Sequence, residues 1–138
     1  MAARTEAYVD TSALIAFVDR SDTYHALFRR LFSEPPGLVT TALVVAEGHA
    51  WFLRRYDRTR ALRFLAMIED MTPLKVAQVG ADELIGGTRM LRRFSDQDLT
   101  LTDAVGLHEM HVERGVHTCW STDRHLGLTG IPLAIDLA

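Results

Sequence analysis

Short apolar runs alternate with segments of helical spacing along almost the whole chain, and this alternation constrains the fold most. Apolar runs bounded by turn residues predict buried strands, whereas apolar residues three or four apart predict helices. We predict strands over residues 5–9, 38–40, 74–79, 116–121 and 131–135. We predict helices over residues 12–19, 25–32, 42–55, 59–70, 81–94 and 103–114. The alternation therefore predicts an α/β fold with a mainly parallel sheet covered by helices on both faces.

The composition indicates one ordinary globular domain over residues 1–138. Apolar residues make up 48% and charged residues 24% of the 138 residues, which is enough chain for a proper core. No apolar run approaches the roughly 20 residues of a membrane-spanning helix, and the N-terminus does not resemble a signal peptide. The single Cys119 excludes an intramolecular disulfide and a cysteine zinc cluster. We expect it to be a small core residue of a cytoplasmic protein.

Four acidic residues lie where an apolar run meets a turn or a helix: Asp10, Glu47, Asp103 and Asp123. Carboxylates in apolar surroundings cost several kcal/mol each unless something compensates them, and no lysine or arginine is paired with these four by spacing. Asp10 and Asp123 follow predicted strands. Glu47 lies in a predicted helix that follows a strand, and Asp103 begins a predicted helix that follows a loop. Ligands of open α/β sheets bind outside the carboxyl ends of the strands. We expect the four acids to meet there around Mg²⁺ or Mn²⁺, which prefer oxygen ligands.

Local roles are also open for most of these acids when the pattern is taken alone. Asp10 could be a turn residue or helix cap, Asp103 a first-turn acid that favours the helix dipole, and Asp123 a cap. Glu47 is harder to explain in this way, because its neighbours are apolar. The six histidines lie in unrelated segments, which argues against a zinc site, and only His125 is close to the proposed acids.

Around these acids the chain resembles the PIN-domain family, and most of all its VapC-type toxin endoribonucleases. The matching pieces are VDTSAL at 9–14, the V-x-x-E that ends at residue 47, DLTLTDA at 98–104 and STDRH at 121–125. They occur in the family's order over nearly the whole chain. The resemblance implies a three-layer α/β/α sandwich and hydrolysis of RNA phosphodiester bonds with Mg²⁺ or Mn²⁺.

By the same resemblance, catalytic and metal-ligand roles fall on Asp10, Glu47, Asp103 and Asp123. Ser12 matches the hydroxyl that orients the first carboxylate or contacts the substrate. The family also implies a small antitoxin protein that occupies the active-site groove, and a homodimer of the catalytic chain.

An RNA substrate requires positive charge near the acids. The net charge of −3 argues against a uniformly basic surface, but a local patch is compatible with it. The richest cluster contains Arg54, Arg55 and Arg58, followed by two further arginines, with an aromatic ring available for stacking on bases. Arg124 lies beside the fourth acid, and a second group contains Arg89, Arg92 and Arg93. We predict that one of these groups lines the approach to the acidic residues.

Other functions fit the sequence less well. A catalytically silent PIN-like module that binds RNA or protein is the main alternative, and the loss of an acid would have favoured it. An aspartyl phosphatase or phosphotransfer domain needs a second acid two residues after the first, where Ser12 stands. A nucleotide-binding domain would carry a glycine-rich loop after the first strand, and none is present there.

Overall fold

A computed structural model of the protein describes residues 4–137 and contains one parallel sheet. The strands are β1 (Thr5–Val9), β2 (Gly37–Thr41), β3 (Leu74–Ala77) and β4 (Thr118–Trp120). Their order across the sheet is β3-β2-β1-β4, and every neighbouring pair is parallel. All of β2 and the second half of β1 are buried, because a parallel sheet is covered on both faces.

Helices connect the strands and cover both faces of the sheet. They are α1 (Thr11–Val18), α2 (His25–Leu31), α3 (Ala42–Arg55), α4 (Arg58–Asp70), α5 (Ala81–Arg93) and α6 (Leu101–Val112), with short 3₁₀ turns at Arg124–Gly127 and Ala134–Asp136. The chain moves from β1 to β3 in one direction across the sheet and then returns to β4 on the other side of β1. Right-handed crossovers therefore place α1 to α4 on one face and α5 and α6 on the other. This is the three-layer α/β/α sandwich that the sequence predicts.

The reversal of strand order falls between β1 and β4, and it creates a crevice at their carboxyl ends. Asp10 follows β1 directly, and its backbone N–H donates to the carbonyl of Trp120 at 3.0 Å. Ser121 follows β4 at the same level. The two segments that carry the first and fourth predicted acids therefore leave the sheet side by side.

Helix α6 packs very closely on β1 near this crevice. A Cβ atom added at Gly106 would lie 2.6 Å from the hydroxyl oxygen of Tyr8, which is fully buried. Leu14 of α1 and Leu107 of α6 are also fully buried. Tight packing of these helices fixes the starts of the segments that carry the acids.

The prediction of a last strand over residues 131–135 is wrong. Leu133 makes a single isolated bridge to Cys119, and the chain then turns into the 3₁₀ helix Ala134–Asp136. The carbonyl of Pro132 accepts from the N–H of Cys119 at 2.9 Å, but proline has no N–H with which to continue a ladder. The N–H of Asp136 instead donates to the carbonyl of Leu133 at 3.0 Å.

Helix α6 begins at Leu101, two residues before the predicted start, because Thr100 is its N-cap. The predicted strands over 74–79 and 116–121 are shorter in the structure, at Leu74–Ala77 and Thr118–Trp120. Cys119 lies buried in β4 as expected, and burial raises the pKa of its thiol. Within residues 4–137, no helix has both the length and the apolar character required to cross a membrane.

Candidate metal centre

Asp10 lies at the base of the crevice, and two serine hydroxyls hold its carboxylate. Ser12 Oγ donates to Asp10 Oδ2 at 2.8 Å, and Ser121 Oγ donates to the same oxygen at 2.9 Å. Asp10 is only 3% exposed, and this burial raises its pKa to about 6 although both hydroxyl bonds lower it. The charge of Asp103 contributes to this raised pKa. A carboxylate that is buried among other acids gains strongly from a nearby cation.

The two serines are themselves fixed by the loop that follows β4. Ser12 Oγ accepts from the N–H of Thr122 at 2.9 Å, and Ser121 Oγ accepts from the N–H of Asp123 at 2.9 Å. The two hydroxyls also lie 3.1 Å from each other, so Ser12, Ser121 and Asp10 form one hydrogen-bonded group. Sequence reasoning identified Ser12 but missed Ser121 and Thr122. The available signals were the STDRH motif at 121–125 and the position of Ser121 where a buried strand meets the carboxyl edge.

Asp103 is the third residue of α6 and forms a reciprocal cap with Thr100. Its N–H donates to Thr100 Oγ1 at 3.1 Å, and the N–H of Thr100 donates to Asp103 Oδ2 at 3.4 Å. Asp103 is therefore a first-turn acid, the local role that the sequence left open for it, and it also completes the cap of α6. The pKa of Asp103 is nevertheless raised, first by burial and then by the charges of Asp123 and Glu47. An acid held only as a cap would not be surrounded by other acids.

Asp123 caps the 3₁₀ turn that follows β4 and lies close to His125. Its Oδ1 accepts from the backbone N–H of His125 at 2.9 Å, and the ring Nδ1 of His125 lies 3.2 Å from the same oxygen. Asp103, Asp123 and His125 offer ligand atoms that lie within 4.8 Å of one another. Octahedral donors on one Mg²⁺ lie about 3.0 Å apart in adjacent positions and about 4.2 Å apart in opposite positions, since the bonds are about 2.1 Å. The bound of 4.8 Å is slightly wider than these separations, but two carboxylates and an imidazole are ordinary ligands of a divalent ion such as Mn²⁺.

Glu47 and Asp10 lie outside that group of three but within electrostatic range of it. Glu47 is the sixth residue of α3, is partly buried, and contributes to the raised pKa of Asp103. Among the residues from 4 to 137, no lysine or arginine forms an ion pair with any of the four acids. The crevice is thus a concentration of negative charge that a cation would relieve.

The sequence matches the PIN domain family over residues 7–108, a segment that contains three of the four acids. The chain belongs to the PIN domain family. The match begins just before Asp10 and ends within α6, after Asp103. Asp123 lies outside the matched segment, and the position of β4 beside β1 brings it near the other acids.

Solved structures with a similar fold include toxins. VapC20 of Mycobacterium tuberculosis, described as a toxin that cleaves the sarcin–ricin loop, is 24% identical with a TM-score of 0.82 over 91% of this chain and 96% of that chain. A toxin–antitoxin complex from Klebsiella pneumoniae is 18% identical with a TM-score of 0.63 over 94% and 96%. PAE2754 from Pyrobaculum aerophilum is 21% identical with a TM-score of 0.65 over 96% and 92%. These similarities show the fold alone. No curated protein sequence matches this PIN domain.

The predicted RNA-binding arginines of this PIN domain lie at the junction of α3 and α4. Arg54, Arg55 and Arg58 are all exposed. Arg54 follows Glu47 by seven residues, so it lies on the same helix face about 10 Å further along the axis. The neighbouring ring of Tyr56 is already covered, because the guanidinium of Arg60 lies 4.5 Å from its centroid. That face of Tyr56 is not open for stacking on a base.

Arg124 differs from the other candidate arginines because it is paired. Its Nη1 donates to both carboxylate oxygens of Asp136 at 2.7 and 2.6 Å. This pairing raises the pKa of Arg124. An arginine whose Nη1 is held by a carboxylate in this way is less available to a phosphate than Arg54 or Arg55.

Proposed function

We propose that this protein is a metal-dependent endoribonuclease that hydrolyses RNA phosphodiester bonds, and the toxin of a type II toxin–antitoxin pair. The observation that carries the proposal is the group of acids at the switch between β1 and β4, with raised pKa values at Asp10 and Asp103. Membership of the PIN domain family supports it. The description of the similar VapC20 structure as an RNA-loop-cleaving toxin supports the substrate class.

In this proposal, Asp10, Glu47, Asp103 and Asp123 hold Mg²⁺ or Mn²⁺, directly or through water. A bound ion would supply an activated water and neutralise charge on the scissile phosphate. Ser12 keeps the carboxylate of Asp10 in one orientation through the 2.8 Å hydrogen bond, and Ser121 does the same from the opposite segment. Preorganisation of this kind avoids reorientation of the ligands when substrate binds.

The arginines of the α3–α4 junction would guide RNA towards the acids. Arg54 stands on the Glu47 face of α3, so a backbone bound there could continue into the crevice. A groove of about 550 Å³ beside Tyr56, lined also by Arg20, Arg60 and Arg63, extends the basic surface. Contacts of this kind bind phosphates without reading the base sequence.

The proposed partners are RNA and a small antitoxin protein. The similar structure from Klebsiella pneumoniae is a toxin–antitoxin complex, and this supports an antitoxin here. Such an antitoxin would place a basic side chain against the acids, since they have no arginine or lysine partner within residues 4–137. The homodimer and the cytoplasmic location remain predictions.

A catalytically silent PIN-like module that binds RNA or protein is the alternative. The retained acids and their serine supports argue against it, because a binding module needs neither. One cleavage experiment separates the two functions. Purified protein is incubated with structured RNA, with Mn²⁺ or with EDTA, alongside Asp10→Asn and the exposed control Asp96→Asn.

We expect cleavage by the wild type and by Asp96→Asn only in the presence of metal. The Asp10→Asn variant should be slower by at least about a hundredfold, since it removes a charged ligand. RNA that is bound but never cut by the wild type would favour the silent module. Equal cleavage by Asp10→Asn, or cleavage in EDTA, would contradict the proposed mechanism.

A further inference from the structure

Among residues 4–137, His125 is the one histidine in the group of possible metal ligands, and the family resemblance assigns it no role. Its ring Nδ1 lies 3.2 Å from Asp123 Oδ1, and its side chain is about one-third exposed, at 35%. It belongs to the same compact group of ligand atoms as Asp103 and Asp123. A nitrogen donor in a group of carboxylates changes which ions the group prefers.

The backbone that carries this imidazole is held in place by the 3₁₀ turn. The N–H of His125 donates to Asp123 Oδ1, and the N–H of Leu126 donates to the Asp123 carbonyl at 3.1 Å. Leu126 is fully buried and anchors the 3₁₀ turn in the core. The turn therefore holds the backbones of Asp123 and His125 together, and the ring Nδ1 lies 3.2 Å from the carboxylate.

We infer that His125 is a nitrogen ligand of the metal centre and makes it prefer transition ions such as Mn²⁺ or Co²⁺ over Mg²⁺. This inference rests on the proposed function and deepens it. The 3.2 Å between the ring nitrogen and Asp123 Oδ1 is close to the separation of about 3.0 Å expected of adjacent donors on one octahedral ion. Mg²⁺ holds its waters strongly and favours oxygen, so it gains little from imidazole.

A simpler role for His125 would be to orient Asp123 through the same contact. The two roles differ in a measurable way. A positioning contact should affect all divalent ions alike, because it acts through the shared carboxylate. A nitrogen ligand should affect Mn²⁺ and Co²⁺ far more than Mg²⁺.

Two measurements without RNA test the inference on the full chain. Electron paramagnetic resonance follows Mn²⁺ binding and its displacement by Mg²⁺, for the wild type, His125→Asn and the control His117→Asn. The ring of His117 contacts Thr118 and Glu6 and is 67% exposed, away from the acids. Pulsed spectra of the bound Mn²⁺ report directly whether an imidazole nitrogen is coupled to it.

We expect nitrogen coupling in the wild type and in His117→Asn, and its loss in His125→Asn. The His125→Asn variant should lose at least about tenfold in Mn²⁺ affinity, while Mg²⁺ affinity changes by less than about threefold. Bound Mn²⁺ without nitrogen coupling, or an equal loss for both ions, would overturn the inference. In that case the proposed function would survive if the wild type still cut RNA with metal. A wild type that binds neither ion and cuts no RNA would overturn both.

Discussion

Replacement of Asp10 by asparagine should stabilise the metal-free protein while it destroys the metal centre. The pKa of Asp10 is about 6 in the folded protein, against about 3.9 for an unfolded chain. A difference of roughly 2 pKa units corresponds to about 3 kcal/mol, which is the cost of keeping this carboxylate charged in the fold. Because the folded pKa is raised, the metal-free protein avoids this cost at low pH, where Asp10 is neutral. Its free energy of unfolding decreases as pH rises through about 6 and Asp10 becomes charged.

Asparagine should recover much of that free energy. Its amide oxygen can take the place of Asp10 Oδ2 and accept the same two hydroxyl protons from Ser12 and Ser121. We expect a gain of about 1–3 kcal/mol at pH 7.5, or about 3–10 °C in the melting temperature of a chain of this size. The gain should shrink as pH falls below 6 and nearly vanish near pH 4, because wild-type Asp10 is then neutral as well.

The assay is thermal unfolding of the wild type, Asp10→Asn and the exposed control Asp96→Asn in EDTA from pH 4 to pH 8. The difference in melting temperature between Asp10→Asn and the wild type at each pH reports on Asp10 alone, because the other titrating groups are the same in both proteins. With millimolar Mn²⁺ the wild type and Asp96→Asn should have higher melting temperatures than Asp10→Asn, because only these two proteins are stabilised by binding the ion. A variant that is less stable than the wild type in EDTA at pH 7.5, or a gain that does not change with pH, would refute this reasoning.

Three other changes test separate parts of the structure. Ser121→Ala removes the hydrogen bond that Ser121 Oγ donates to Asp10 and the one that it accepts from the Asp123 N–H. The Mn²⁺ affinity measured by calorimetry should therefore fall about tenfold. An unchanged affinity would exclude a supporting role for Ser121. Gly106→Ala places a Cβ against the Tyr8 hydroxyl and should cost about 1–3 kcal/mol in urea unfolding, and Tyr8→Phe should recover part of that loss. Arg54→Glu should weaken RNA binding and reduce the dependence of RNA affinity on salt concentration, while Mn²⁺ affinity stays constant. An unchanged salt dependence would show that RNA does not bind at Arg54.

The sheet and most helices could be predicted because their patterns are local. Helix α3 runs over Ala42–Arg55 as predicted, since apolar spacing and a threonine cap agree there. The strand predicted over 131–135 is absent because Pro132, which stands inside this apolar run, has no N–H with which to continue the ladder. The early start of α6 followed from Thr100, a cap that lies outside the apolar pattern.

The candidate site could be predicted only in part from the sequence. Strand ends and helix starts place Asp10, Asp103 and Asp123 at one edge of a parallel sheet, and the structure brings these residues near one another. Ser121 lies at the same edge, but its role depends on a side-chain hydrogen bond to Asp10, which strand ends alone do not predict. The pairing of Arg124 with Asp136 likewise depends on a turn that the sequence pattern did not predict.

Anomalous diffraction from a crystal soaked in Mn²⁺ tests the central idea most directly, because it locates the ion without reference to activity. We expect a peak in the crevice between β1 and β4, about 2.2 Å from carboxylate oxygens of at least two of Asp10, Asp103 and Asp123. The same crystal of Asp10→Asn should show a weaker peak or none. A fully soaked wild-type crystal with no Mn²⁺ at these carboxylates would contradict the account.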